Sequence, residues 1–321
     1  MLILNQQAVA EALPMADCIV AMRAALSDFA RGEYRLFPRH QLNAGPGEVL
    51  MGLMPVFAHS GGQKMWCLKD VLVARDNAAR GLDNHQGAVL LNDGETGELR
   101  AVLDATEITA RRTAATSAVA TAALARPNAR TVAILGTGTQ AQTHIDALRL
   151  VVPDARFVVW GRTRAKADEL ARANDIEIAD SAREAVANAD VVCTLTGSKE
   201  PILELGWLKA GCHINAVGSS NRGARELGDD IVAASRFFVD SRSQAAVECG
   251  ELLQPFERGV IGDDHISAEL GEVLAGMRPG RASASDLTVF KSLGIAVEDA
   301  AAALCAVKNA TANGIGQHVE W

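Results

Sequence analysis

The first residues whose types and spacing could do chemistry are six in a row. Thr131-Val-Ala-Ile-Leu135 reads as a short apolar strand, and it runs directly into Gly136-Thr-Gly138-Thr-Gln-Ala141 ahead of a helical pattern. In that setting each small residue has a use. Gly136 permits the tight turn, Gly138 lets the backbone approach a pyrophosphate, and Ala141 lets the helix pack close to the sheet. The helix N-terminus adds unpaired N–H groups and a positive dipole end for the phosphates. A glycine-rich turn alone is commonplace. Placed between a strand and a helix and opening a βαβ unit, it points to a dinucleotide.

The next strand bears on which dinucleotide. Sites for NAD commonly end it in Asp or Glu, which holds the ribose 2′-hydroxyl. Here it ends Val159-Trp160-Gly161-Arg162-Thr163-Arg164, with no acid. Two guanidinium groups suit a 2′-phosphate, and cations are otherwise disfavoured in the first turn of a helix. The reading is NADP(H) in preference to NAD(H), with Arg162, Thr163 and Arg164 at its phosphate.

The elements that must position this loop follow from the same patterning. Pro14 opens and Gly32 closes an amphipathic helix over residues 14–31. Strand-like runs follow at 49–54, 65–73, 87–91 and 99–103, the last two joined by the turn-rich Asn92-Asp-Gly-Glu-Thr-Gly97. Asp104-Ala-Thr-Glu107 resembles a helix start, and the Ala/Thr-rich run to Ala125 reads as one long helix. From residue 131 short strands (131–135, 157–160, 191–194, 214–217, 237–239) alternate with helices (140–150, 165–173, and one opened by a capping box at Ser181), which means a parallel sheet covered on both faces. A late Ala-rich helix spans 300–307. The fold class is therefore α/β: a Rossmann-type doubly wound sheet over residues 121–300, with a smaller α+β domain built from 1–120 and 301–321.

Composition narrows the partners. A net charge of −8 gives no basic face for nucleic acid. No run approaches the roughly 20 apolar residues of a membrane helix, and Met1-Leu-Ile-Leu-Asn5 lacks a signal-peptide layout. A cytoplasmic location is expected. The six cysteines are scattered without a Cys-x-x-Cys pair and no His-Glu-x-x-His occurs, so neither a disulfide framework nor a metal site is expected. Cys212-His213, in a strand-like run, reads as packing.

Several further segments occur in a characteristic order. Leu68-Lys69 precedes Asn77 and Gly81, and Arg112-Thr113-Ala114-Ala115 precedes the 136–141 loop. Ala216-Val-Gly218 with Glu226-Leu227 comes next, then Phe290-Lys-Ser292-Leu-Gly294 leading into Glu298-Asp299. In these segments the chain resembles the ornithine cyclodeaminase/mu-crystallin family. The resemblance implies a substrate domain contributed by both chain ends, a Rossmann domain between them, and a homodimer formed through the substrate domains. It implies a small imino- or amino-acid substrate whose C=N bond, next to a carboxylate, is formed or reduced with a nicotinamide. Lys69 and Arg112 match the family's active-site cations and Arg39, in Phe37-Pro38-Arg39-His40, its carboxylate-binding arginine. Ser220 and Leu293 fall at substrate positions. Asn84, Thr113, Thr139, Gln140, Thr196, Val217, Gly218, Ser219 and Ser292 fall at cofactor positions, with Gly136 and Gly138. Binding a small carboxylate calls for cations, and Arg provides bidentate pairing.

One position departs from the pattern. Cyclodeaminases and the related alanine dehydrogenases carry an aspartate where this chain has Ser220, whereas mu-crystallin-like ketimine reductases carry a serine. A serine hydroxyl is neutral and does not act as a base near neutral pH unaided. The expected activity is NAD(P)H-dependent reduction of a cyclic ketimine carboxylate, such as pyrroline- or piperideine-2-carboxylate, to the L-imino acid. Lys69 or bound water would supply the proton, with His85 as a further local acid. Cyclodeamination or amino-acid dehydrogenation by another group, and cofactor-dependent ligand binding without turnover, are the alternatives.

Overall fold

The computed structural model describes residues 1–45, 48–60, 62–74, 77–83 and 85–320. The chain forms two compact units, Met1–Thr113 with Ile295–Trp321, and Ala114–Gly294. The sequence pattern sets these boundaries at 120 and 300. The partition instead falls inside the helix Ala105–Leu124, because its later residues bond within the second unit. Ser117 Oγ meets His144 Nε2 at 2.9 Å, and Thr121 Oγ1 accepts from Asn215 Nδ2 at 2.9 Å.

The first unit is α+β. Its strands run in the order Gln317–His318, Leu2–Leu4, Leu99–Asp104, His85–Asp93, Gln63–Val73, Leu50–Ser60, Tyr34–Leu36, with His40–Asn43 also on Leu50–Ser60. The pairings are antiparallel except Leu2–Leu4 with Leu99–Asp104. Asp93 Oδ1 turns the hairpin by accepting the N–H groups of Glu95 and Thr96, both at 3.0 Å. Pro14 caps the helix Met15–Ala30 and Gly32 ends it at φ +85°, a left-handed conformation that favours glycine. Cys18, Met22, Ala25 and Leu26 form its buried stripe. The strand predicted at 49–54 continues to Ser60, because its whole length pairs with Gln63–Val73.

The second unit is a doubly wound parallel sheet. Its order is Glu177–Ile178, Arg156–Trp160, Thr131–Leu135, Val191–Thr194, His213–Ala216, Thr288–Lys291, Arg236–Val239, Ile266–Glu269. Alternate residues feed its two cores. Val132 and Ile134 pack with Phe157, Val159, Ile145 and Leu148. Ala133 and Leu135 pack with Ile214, Phe237, Val239 and Val289 on the other side. Phe237, Phe238 and Phe290 are fully buried, and each stabilises the fold by about 1.5–3 kcal/mol. Strand order reverses between Thr131–Leu135 and Val191–Thr194, so their C-terminal ends frame the switch point where ligands of such sheets bind. Cys212 and His213 are buried, and His213 bonds Thr288 and Asn215 as a packing residue. Among the described residues no helix is long and apolar enough to cross a membrane.

Candidate active site

In the first unit the sheet, the long helix and the returning helix Ala296–Asn313 bring charged groups together. Lys69 sits mid-strand, opposite Met54 on one side and Val89 on the other. Its Nζ donates to Asp299 Oδ1 at 2.8 Å and to Thr109 Oγ1 at 3.4 Å. Arg112 donates through Nε to the same Asp299 oxygen at 3.0 Å, and through Nη1 to Glu298 Oε2 at 2.6 Å. Both acids are fully buried, and Lys69 and Arg112 nearly so. The acids occupy the first turn of their helix, where its dipole favours negative charge.

The electrostatics follow from this packing. Burial pushes Lys69 down from the ordinary lysine value to about 8, against the pull of Asp299, and the Arg112 and Arg39 cations push the same way as burial. Burial opposes ionisation of Asp299, but Lys69, Arg112 and Arg39 outweigh it and hold the carboxyl below its usual range. Arg39, half-buried after Tyr34–Leu36, thus acts on the same centre. Together these three cations and two carboxylates carry a net positive charge, which suits an anionic ligand. Desolvation, then Lys69 and Arg112, lowers His85 below the ordinary histidine value. That counts against its expected role as a local acid, because burial and the two cations disfavour the protonated ring.

In the second unit the glycine loop has the geometry a pyrophosphate needs. Gly136 has φ +133°, and a Cβ there would lie 2.5 Å from the Leu195 carbonyl oxygen. A Cβ on Gly138 would meet nothing within 4 Å, so open space lies at the start of the helix Thr139–Val151. No side chain caps that helix, and Gln140 Oε1 is buried without a hydrogen-bond partner. Thr139 is exposed. These features fit a dinucleotide, with backbone N–H groups and Gln140 as its holders.

The structure distinguishes the two arginines. Arg162, Thr163 and Arg164 are all exposed. However, Arg164 already has anionic partners, donating to Asp168 at 2.9 Å and to Asp180. Its place in a first helical turn therefore needs no phosphate. No ion pair engages Arg162 among the described residues.

Other expected residues lie at the ends of neighbouring strands of this sheet. Thr196 follows Val191–Thr194; Val217, Gly218, Ser219 and Ser220 follow His213–Ala216; Ser292 and Leu293 follow Thr288–Lys291. The Ser292 N–H donates to Ala216 O at 3.0 Å, and Asp240 Oδ2 accepts from Leu293 and Gly294 N–H at 2.7 Å each. Ser219 is buried with its hydroxyl on Ala224 O, whereas Ser220 is exposed. Thr113 is buried on the long helix of the first unit. Asn84 lies outside the described residues. Among those described, no group of three or more His, Cys, Asp or Glu could hold a metal ion.

Sequence reasoning gave no role to Glu298 and Asp299, or to buried Glu226, Glu251 and Lys291. Adjacent acids at the head of an otherwise apolar Ala-rich helix were the available signal for the first pair.

The sequence profile of the ornithine cyclodeaminase/mu-crystallin family matches residues 1–314. The chain belongs to this family. Within it, the mouse (Mus musculus) ketimine reductase mu-crystallin is 39% identical over 290 residues, 89% of each chain. The fold is that of Thermococcus litoralis Δ1-pyrroline-2-carboxylate reductase in complex with NADH and L-proline, at TM-score 0.93, 32% identity and coverage of 99% and 100% of the two chains. An archaeal alanine dehydrogenase dimer with bound NAD also superposes at TM-score 0.93, with 31% identity and coverage of 100% and 99%.

Proposed function

We propose that the chain reduces a small cyclic ketimine carboxylate, of the pyrroline- or piperideine-2-carboxylate type, to the L-imino acid with NAD(P)H. The observation that carries this reading is the net positive cluster of buried Lys69, Arg112, Glu298 and Asp299 with half-buried Arg39 acting on it. The names of the similar reductases support it. A bound nicotinamide supplies the hydride that the imine carbon receives. Arg39, Lys69 and Arg112 hold the carboxylate, Lys69 and Arg112 kept in place by Asp299 and Glu298. Lys69, with a pKa of about 8, carries a proton at neutral pH that it can release to the imine nitrogen. Ser220 offers no carboxylate to accept protons from an ammonium group, which favours uptake of a ready-made imine over deamination. We further place the protein in the cytoplasm as a homodimer, in keeping with the dimer of the archaeal relative.

The test is steady-state NAD(P)H oxidation by cyclic imino acids across pH. Lys69 is protonated below its pKa, so kcat/KM should be level below about pH 8 and fall by about tenfold per unit above it. No oxidation with any such imine would sink the reading. A flat profile to pH 10 would remove Lys69 as the donor.

We also propose NADP(H) over NAD(H), now resting on Arg162 and on the missing acid after Arg156–Trp160. A charge-assisted contact to the 2′-phosphate contributes roughly 1.5–3 kcal/mol, so Arg162→Asp should weaken NADPH binding by about tenfold or more and leave NADH nearly unchanged. Arg164→Ala should do little to either, because Arg164 is bound to Asp168 and Asp180. Equal affinity of the parent protein for the two cofactors would contradict this preference.

A further inference from the structure

Glu226 lies on no helix or strand and is wholly buried, yet both oxygens of its carboxylate are engaged. Oε1 accepts from the Thr196 N–H and from the Thr196 hydroxyl, each at 2.7 Å. Oε2 accepts from the Gly218 N–H at 2.8 Å. Thr196 belongs to the loop after Val191–Thr194 and Gly218 to the loop after His213–Ala216, so one side chain ties together two loops at the C-terminal ends of adjacent strands. A Cβ on Gly218 would lie 2.2 Å from the Thr196 carbonyl oxygen and 2.6 Å from Glu226 Oε1. The loops touch, and only glycine lets them.

A second layer holds Glu226. Its own N–H donates to Glu251 Oε1 at 3.0 Å. Lys291 Nζ lies 3.2 Å from Glu251 Oε2 and also donates to the Ser219 carbonyl. Lys291 and Glu251 are fully buried. Burial pushes the Glu226 carboxyl above its usual range. Desolvating two carboxylates and an ammonium is unfavourable, and apolar residues of similar volume commonly stabilise a fold as well or better. What the charges add is directional: they fix the peptide groups of Thr196, Gly218 and Ser219.

We propose that Glu226, backed by Glu251 and Lys291, is a positioning residue for the cofactor. It holds the 195–198 and 217–220 loops in the one arrangement that receives the nicotinamide nucleotide. The proposal rests on the reading that this sheet binds NAD(P)H. Its distinct claim is that a residue acting only through Thr196 and Gly218 sets cofactor affinity.

Glu226→Gln tests it. The amide oxygen can still accept from Thr196, but the amide nitrogen meets the Gly218 N–H donor to donor, so the second tie is lost. The cofactor Kd, read from nicotinamide fluorescence, should rise by about tenfold or more, while KM for the imine changes by less than about twofold. A Kd within about twofold of the parent in the folded variant would overturn the proposal. If the glutamine variant does not fold, Glu226→Asp, which keeps the charge but is one methylene too short to bond both Thr196 and Gly218, carries the test. A Kd raised by about threefold or more supports the proposal, and an unchanged one overturns it. If the parent protein binds neither NADH nor NADPH, the functional reading itself fails and this proposal falls with it, a result separable from failure of the variants alone.

Discussion

Lys69→Met and Arg112→Met should each lower kcat/KM for imine reduction by about 30- to several-thousand-fold, with cofactor affinity nearly unchanged. Either cation, removed from a site closed to water, leaves the substrate carboxylate partly uncompensated, at about 2–5 kcal/mol of transition-state stabilisation. Methionine keeps most of the apolar stem, so the variants test the charged head group rather than packing. Both cations are also ion-paired inside the protein, with Asp299 and Glu298. A purely structural pair predicts a different outcome, a lower melting temperature with kcat/KM of the folded fraction intact. Folded variants that bind NADPH and retain more than about a third of parental kcat/KM would remove these residues from the active site.

Asp299→Asn should lower stability sharply. Asp299 Oδ1 takes both Lys69 Nζ and Arg112 Nε, and all three residues are buried. Deleting one side of a buried ion pair costs about 3–5 kcal/mol, because the remaining charges lose their compensation. Urea unfolding measures this, and a loss under about 1 kcal/mol would show that the cluster is not closed. The same variant shifts the pH profile in a defined direction. The Asp299 carboxylate pulls the Lys69 pKa up against burial. Without it the pKa falls below 8, and the alkaline limb of kcat/KM moves to lower pH. A limb that stays in place would mean that another group titrates.

Features with local causes were legible in the sequence. The 136–141 loop, the alternation of short strands and helices, and the Asp104 and Ser181 caps each depend on residues a few positions apart, and each forms as patterned. What escaped depends on distant partners or on very short segments. Leu2–Leu4 and Gln317–His318 are too short to show a period of two. Thr288–Lys291 ends in a lysine that reads as exposed, and only the fold supplies Glu251 as its buried partner. Glu298 and Arg112 are 186 positions apart, and Asp299 and Lys69 are 230 apart. Family resemblance located the two cations, but the acids that hold them became visible only with the structure. Arg164 erred in the other direction. Its Asp168 partner, one helical turn on, was readable as an i,i+4 pair that accounts for the charge without a phosphate.

The central claim is that this chain takes up a finished imine rather than deaminating an amino acid. The most direct measurement sets two rates side by side on one preparation: NADPH oxidation by pyrroline- or piperideine-2-carboxylate, and ammonia release from L-ornithine with NAD. On the proposed reading, in which neutral Ser220 offers no proton acceptor for deamination, imine reduction should be faster by at least about tenfold, a difference of about 1.4 kcal/mol or more in barrier. Efficient ammonia release from ornithine without imine reduction would contradict the account.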